Sequence, residues 1–104
     1  MSKQISELYA QLLGETAQIS WAELMPFFAR GKVLWLASDQ DLVAVAEHII
    51  NDDKKQVSSL MQQNALQNLS DEQAQDFQDR DPELWAVVVA PWVLVQERAA
   101  NTTH

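Results

Sequence analysis

The residues best suited to acid–base or metal chemistry lie near the middle of the chain. His48 and Asp52 are four positions apart in a segment with helical apolar spacing, so their side chains can meet on one flank of a helix. Such a pair could exchange a proton or supply two metal ligands. A zinc site needs three or four protein ligands, whereas the chain has two histidines and no cysteine. We therefore predict no metal site, and a surface hydrogen bond near a helix end is the simpler interpretation.

Two further polar residues flank the first predicted strand. Arg30 precedes the short apolar segment 32–38, and Asp39 follows it. A guanidinium can hold an anionic ligand through paired hydrogen bonds, and carboxylates can bind a hard cation such as magnesium. Helix capping explains the aspartate more simply, because its oxygen atoms can accept hydrogen bonds from the free N–H groups of a helix start. With His48 and Asp52, these residues define the alternative hypothesis, a small-ligand or metal-dependent enzyme.

Composition argues against several other functions. The chain has 104 residues and a net charge of −8, so its field repels nucleic-acid phosphates and anionic lipid headgroups. Its two glycines, Gly14 and Gly31, are isolated and cannot form a phosphate-binding loop. The absence of cysteine excludes a disulfide framework, and the N-terminus lacks the apolar core of a secretory signal. We expect a cytoplasmic protein with no cofactor, no nucleic-acid partner and no membrane contact.

The spacing of apolar residues predicts an α+β fold that is mostly helical. Five short helices alternate with two strands in the order helix, helix, strand, helix, helix, helix, strand. The two strands are expected to pair in parallel, because several helices separate them and allow a crossover. Pro26 should kink the second helix or divide it into two short turns around Met25. Without a visible linker, residues 1–104 should form one domain, with an ordered core at about 5–97 and a frayed tail at 98–104.

The C-terminal strand is predicted from a run of twelve apolar residues, 84–95, with the sequence LWAVVVAPWVLV. The run is shorter than the roughly 20 residues that a membrane-spanning helix needs. It is rich in valine and tryptophan and apolar at odd and even positions, which is typical of a strand buried on both faces. Pro91 is expected at a bulge or on an edge. A tight hairpin at this proline is not expected, because the glycine or asparagine of common two-residue turns is missing.

The same run indicates an interaction surface. A two-stranded sheet leaves two open edges, and five short helices give an apolar strand incomplete cover. A second copy of the chain would supply the cover, so we expect a homodimer that self-associates through Trp85, Val87, Val89 and Trp92. Six acidic residues in segment 71–83 could also contact a basic protein partner. A non-enzymatic interaction domain is therefore the function that the sequence favours.

Two segments together carry a resemblance to a known family. The sequences ARGKVLWLASDQDLVAVAEHIINDD and WAVVVAPWVLVQ resemble a small bacterial family, domain of unknown function DUF2288, over about residues 5–97. The family closes with a segment of the type Gln-Pro-Phe-Val-Leu. Here residues 90–94 read Ala-Pro-Trp-Val-Leu, so the glutamine is absent. The resemblance implies a compact bacterial domain and no catalytic residue, cofactor or substrate.

Overall fold

The computed structural model describes residues 6–98, which form five helices and five strands. In chain order these are α1 Glu7–Glu15, β1 Ala17–Ile19, α2 Trp21–Ala29, β2 Val33–Leu36, α3 Leu42–Ile50, α4 Lys54–Gln62, β3 Leu66–Asn68, α5 Asp71–Arg80, β4 Leu84–Val89 and β5 Trp92–Glu97. The first residue of the predicted core, at position 5, and the predicted tail at 99–104 lie outside the described residues. Arg98, which the sequence assigns to the tail, donates its backbone N–H to the carbonyl of Glu83 at 3.0 Å.

Four of the five helices, α2 to α5, begin at capping residues that the sequence itself displays. Ser20 and Ser70 each form a complete capping box with the residue three positions later, and Asp41 and Asp53 cap α3 and α4 through their side chains. These caps satisfy N–H groups that have no partner inside the helix. Helix α2 is assigned as one continuous helix with Pro26 inside it, rather than as two separate turns. No helix among residues 6–98 is both long and apolar enough to cross a bilayer.

The predicted two-stranded sheet is wrong, because the strands form one mixed five-stranded sheet in the order β1-β4-β5-β2-β3. The parallel arrangement is present between β2 and β5, with Val33 opposite Val93, and every other neighbouring pair is antiparallel. Two of the three additional strands, β1 and β3, have three residues each and lie at the edges. A segment of three residues is too short to display an alternating pattern, so its strand character comes from pairing with a longer neighbour.

The prediction of a single C-terminal strand is also wrong, because the apolar run folds back on itself. Strands β4 and β5 form an antiparallel hairpin in which Val89 lies opposite Trp92. Ala90 and Pro91 are the two connecting residues, and the peptide bond between them is cis. A cis proline at the third position of a four-residue turn is the defining feature of a type VI turn. This turn reverses the chain without glycine or asparagine, and Pro91 therefore lies in a turn rather than at a bulge or an edge.

Helices pack against both faces of the sheet. One face packs against α1, α3 and α4, and the other packs against α2 and α5. Strand β2 shows the alternation, because Leu34 and Leu36 belong to the first core and Val33 to the second. The cover is incomplete at one point of β4. Val89 is 1% exposed, whereas the neighbouring Val88 is 60% exposed.

Candidate interaction surface

The four residues of the alternative enzyme hypothesis do not meet in one cavity. Arg30 is the C-cap of α2 and Asp39 lies in the turn after β2, so the two are at opposite ends of that strand. Four residues of strand alone span roughly 13 Å. His48 and Asp52 lie at the far end of α3 from Asp39. Arg30 and Asp39 are exposed, and the Arg30 guanidinium lies 5.9 Å from the Phe27 ring centroid.

His48 faces Asp53 rather than the predicted partner Asp52. The histidine Nδ1 is 3.5 Å from the Asp53 carboxylate, and both side chains are more than one third exposed. The four-residue spacing requires a helix that continues through Asp52, but α3 ends at Ile50 and Asp52 has a positive φ of 56°. The Asp52 carboxylate instead lies 4.0 Å from the Lys54 ammonium. Within residues 6–98, no group of three or more histidine or acidic side chains is arranged to hold a metal ion.

A polar crevice of about 330 Å³ lies where the parallel strands β2 and β5 end. Gln96, which is 3% exposed, donates through Nε2 to the carbonyl of Ala37 at 2.9 Å and to that of Gln40 at 2.7 Å. A buried carbonyl without a donor costs about 1 to 3 kcal/mol. The glutamine therefore holds the loop between β2 and α3 in place. Sequence reasoning missed Gln96, although a polar residue ending the pattern VLVQ was the available signal.

Tyr9 and Asp41 complete the crevice wall. The Tyr9 hydroxyl donates to Asp41 Oδ2 at 3.0 Å, while Asp41 Oδ1 accepts from the N–H groups of Val43 and Ala44 at the start of α3. The hydrogen bond to Asp41, with lesser contributions from desolvation and nearby negative charge, raises the pKa of Tyr9. These groups connect α1 to the capped end of α3. The hydrogen bonds of Tyr9 and Asp41 account for both residues as structural, and neither needs a catalytic role to explain its position.

The four residues predicted at the dimer interface are in two different environments. Val87 and Val89 are each 1% exposed and belong to the core of their own chain. Trp85 is half-buried, with its indole N–H donating to Glu83 at 2.9 Å and the Arg98 guanidinium 4.9 Å from its ring centroid. Trp92 is half-buried and lines one open cleft. Of the four, only the tryptophans have surface to offer a partner.

Two adjoining clefts form an open, largely apolar surface on the face of the sheet that packs against α1, α3 and α4. One cleft of about 450 Å³ lies between α3 and α4, and a second of about 210 Å³ continues from it to Trp92. Both clefts are lined by Ile49, Val57 and Met61. We name these three residues with Trp92 the α3–α4 surface. Met61 is 46% exposed, so the surface is open to solvent.

Charged side chains of both signs border the α3–α4 surface. Asp52 and Lys54 line the larger cleft, and both are mostly exposed. The Lys32 ammonium lies 5.1 Å from the Trp92 ring centroid at the other end, a distance suited to a cation–π interaction. The surface therefore has an apolar centre and a polar border, the arrangement of many protein–protein contacts.

The chain has relatives of known sequence and structure. A family model described as protein of unknown function (DUF2288) matches residues 7–97. The NMR solution structure of PA1075 from Pseudomonas aeruginosa is similar, with 54% sequence identity and a TM-score of 0.81, over 100% of this chain and 96% of that chain. No curated protein matches the chain. The family match extends from the first residue of α1 to the last residue of β5, and so includes the whole sheet and all five helices.

Proposed function

Because the chain belongs to the DUF2288 family, whose function is not known, we propose a function from its geometry: a non-enzymatic cytoplasmic domain that self-associates as a two-fold homodimer. The observation that carries this proposal is the α3–α4 surface, an open apolar area of two continuous clefts on an otherwise acidic chain. Contiguous exposed apolar surface usually marks a site of contact. The cytoplasmic location accords with the absence of cysteine.

The charges at the border favour a second copy as the occupant. A two-fold axis brings the same surface of both subunits together, so each residue meets a symmetry-related position. Asp52 and Lys54 have opposite charges and lie at the same cleft. A two-fold arrangement can therefore place the Lys54 of each subunit near the Asp52 of the other. Pairing of opposite charges across the contact would offset part of the repulsion between two subunits that each carry a charge of −8.

The proposed dimer contact includes Trp92, as the sequence predicted, but not the two buried valines, Val87 and Val89. Val87 and Val89 pack inside their own subunit, so Met61 and Ile49 would supply the apolar contact in their place. Tryptophan is enriched among the residues that contribute most to binding. Methionine adapts its unbranched side chain to an irregular partner surface. The C-terminal run thus contributes to the dimer through its second strand, β5.

Sedimentation velocity across about 1 to 100 µM protein tests the proposal, because a dimer dissociates on dilution. The wild-type chain is expected to shift from monomer toward dimer within that range. Met61→Glu should weaken the dimer about tenfold or more, since it places a charge in the apolar centre. Leu13→Glu is the matched control, because Leu13 is also exposed, at 55%, but lies on α1 outside the surface.

A second pair of variants tests the charged border. Lys54→Glu should weaken the dimer, because it removes the cation expected to face Asp52 of the other subunit. Lys55→Glu makes the same change in charge one residue later, at a position that does not line the cleft, and should have a smaller effect. Thermal melts establish that each variant is folded. A wild-type chain that remains monomeric at about 100 µM contradicts the proposal, as does equal weakening by Met61→Glu and Leu13→Glu.

A further inference from the structure

Among residues 6–98, strand β4 has an open backbone edge beside Val88, which is 60% exposed. β1 pairs with β4 only from Ala17 opposite Ala86 to Ile19 opposite Leu84. The residues that precede Ala17 belong to α1 and its C-cap, not to the sheet, so β1 does not extend to a position opposite Val88. We propose that this edge and its adjoining groove bind a short extended segment of a basic protein, which adds to the sheet as a further strand.

The direction of the Val88 backbone follows from the pairing of its neighbour. Val93 lies opposite Val88, and its N–H donates to the carbonyl of Lys32 at 2.8 Å, on the β2 side. In an antiparallel pair, residues alternate between bonding each other and pointing outward. The N–H and C=O of Val88 therefore point away from β5, toward the open edge. Within residues 6–98 neither the N–H nor the C=O of Val88 has a hydrogen-bond partner.

A groove of about 390 Å³ runs beside this edge and gives the added strand a place for a side chain. Ile19, Phe27 and Val93 contribute apolar lining, and the exposed Val88 side chain lies on the same wall. Strands that add to a sheet edge gain affinity from main-chain hydrogen bonds, and pockets for alternate side chains give selectivity. The groove is suited to one apolar side chain of the incoming segment.

The charges around the groove determine which partner fits. Glu15 and Glu23 line it, and the described lining contains no lysine or arginine. An extended segment whose lysine or arginine side chains flank an apolar residue complements this arrangement. A second copy of the chain would bring two more glutamates to the same place, on a subunit of net charge −8. Like charges in contact are unfavourable, so the occupant is a basic partner rather than a second copy.

A nuclear magnetic resonance titration with two synthetic peptides tests the site. The probe is the pentapeptide Lys-Val-Lys-Val-Lys, and the matched control is Glu-Val-Glu-Val-Glu. The basic peptide is expected to shift the amide signals of Val88, Ile19 and Phe27, and the acidic peptide to bind at least about tenfold more weakly. At nine-tenths occupancy, amide exchange of Val88 should slow about tenfold. The amide of Ala86 faces β1 in the ladder and should change little.

Two variants and a control separate the groove from a general attraction to an acidic chain. Val88→Lys places a cation at the groove and should weaken binding of the basic peptide about tenfold. Glu23→Gln should weaken it about two- to fivefold, the range of an exposed ion pair. Glutamine at this position can still complete the capping box of α2. Glu72→Gln removes one charge from α5, away from the groove lining, and should change the affinity by less than Glu23→Gln.

Three results would overturn the proposal. The first is a Val88 amide that exchanges at the same rate with and without saturating basic peptide. The second is equal loss of affinity in Glu23→Gln and Glu72→Gln, which indicates nonspecific attraction. The third is equal binding of the acidic and basic peptides. The site is separate from the α3–α4 surface, so a monomeric wild-type chain leaves this result unaffected.

Discussion

Two adjacent valines of β4 should respond in opposite ways to the same substitution. Val89 is 1% exposed and belongs to the core formed with α1, α3 and α4. Val88 is 60% exposed on the opposite face of the strand. Val89→Asp should therefore destabilise the domain severely, and Val88→Asp only slightly. Both variants make the same chemical change in the same strand, so they differ chiefly in the environment of the side chain.

The expected magnitudes follow from burial. Removing a buried valine forfeits about 1.5 to 3 kcal/mol of apolar burial. An aspartate in its place leaves a carboxyl group without a polar partner in an apolar core, which adds roughly 1 to 3 kcal/mol. The total, about 2.5 to 6 kcal/mol, is comparable with the roughly 5 to 15 kcal/mol that typically stabilises a small domain. At Val88 the remaining cost is the poor strand propensity of aspartate, about 1 kcal/mol or less.

Urea unfolding followed by tryptophan fluorescence measures both effects. With an m-value of about 1 to 3 kcal/mol/M, Val89→Asp should lower the midpoint by roughly 1 M or more, or leave the chain unfolded. Val88→Asp should lower it by less than about 1 M. Equal destabilisation by the two variants would show that both faces of the strand are covered at this point, and would refute the alternation inferred for β4. A Val89→Asp variant of wild-type stability would refute the burial of that residue.

Two further predictions concern titration. Tyr9 is the only tyrosine, so an ultraviolet titration reports its ionisation alone and should show a pKa above the usual value for tyrosine. The main cause of this shift is the hydrogen bond to the Asp41 carboxylate, so Asp41→Asn should lower the pKa of Tyr9. An unchanged pKa of Tyr9 in Asp41→Asn would contradict this cause. The guanidinium of Arg80 donates to Asp76 at 2.6 and 2.7 Å and lowers the pKa of that carboxyl. This ion pair therefore stabilises the folded domain above the pKa of about 4 that Asp76 has in the unfolded chain. The stabilisation is lost as the pH falls through the lower pKa of Asp76 in the folded domain. The stability difference between wild type and Arg80→Gln should therefore be larger at neutral pH than in acid, and a pH-independent difference would contradict the assignment.

Local signals were sufficient for the helices. Ser20 and Ser70 begin α2 and α5 with complete capping boxes, and Asp41 caps α3. These interactions join residues within three positions of each other, so the sequence displays them directly. The position of Gln96 and its bonds to Ala37 and Gln40 could not be derived in this way, because β5 and the loop after β2 are far apart in the chain.

The candidate site was predicted only in part, because surface and core look alike in an apolar run. Trp92 belongs to the α3–α4 surface, whereas Val87 and Val89 lie in the core. Which valine faces outward depends on the register of β4 against its neighbours, and a shift of one residue would exchange the two faces. The exposure of Met61 likewise depends on how α4 packs against α3 and the sheet, which the spacing of apolar residues does not reveal.

The sequence by itself determined the number of helices, the capped starts of α2 to α5, the strand character of the C-terminal run and the excess of negative charge. Each of these properties depends on composition or on residues within a few positions. Only the tertiary structure decided the five-stranded sheet, the hairpin at Ala90–Pro91 and the separation of Arg30 from Asp39. The short edge strands β1 and β3 exist because β4 and β2 offer them backbone hydrogen bonds across large distances in the chain. Such pairings leave little trace in three-residue segments, since a strand gains its stability from its neighbours rather than from its own residues.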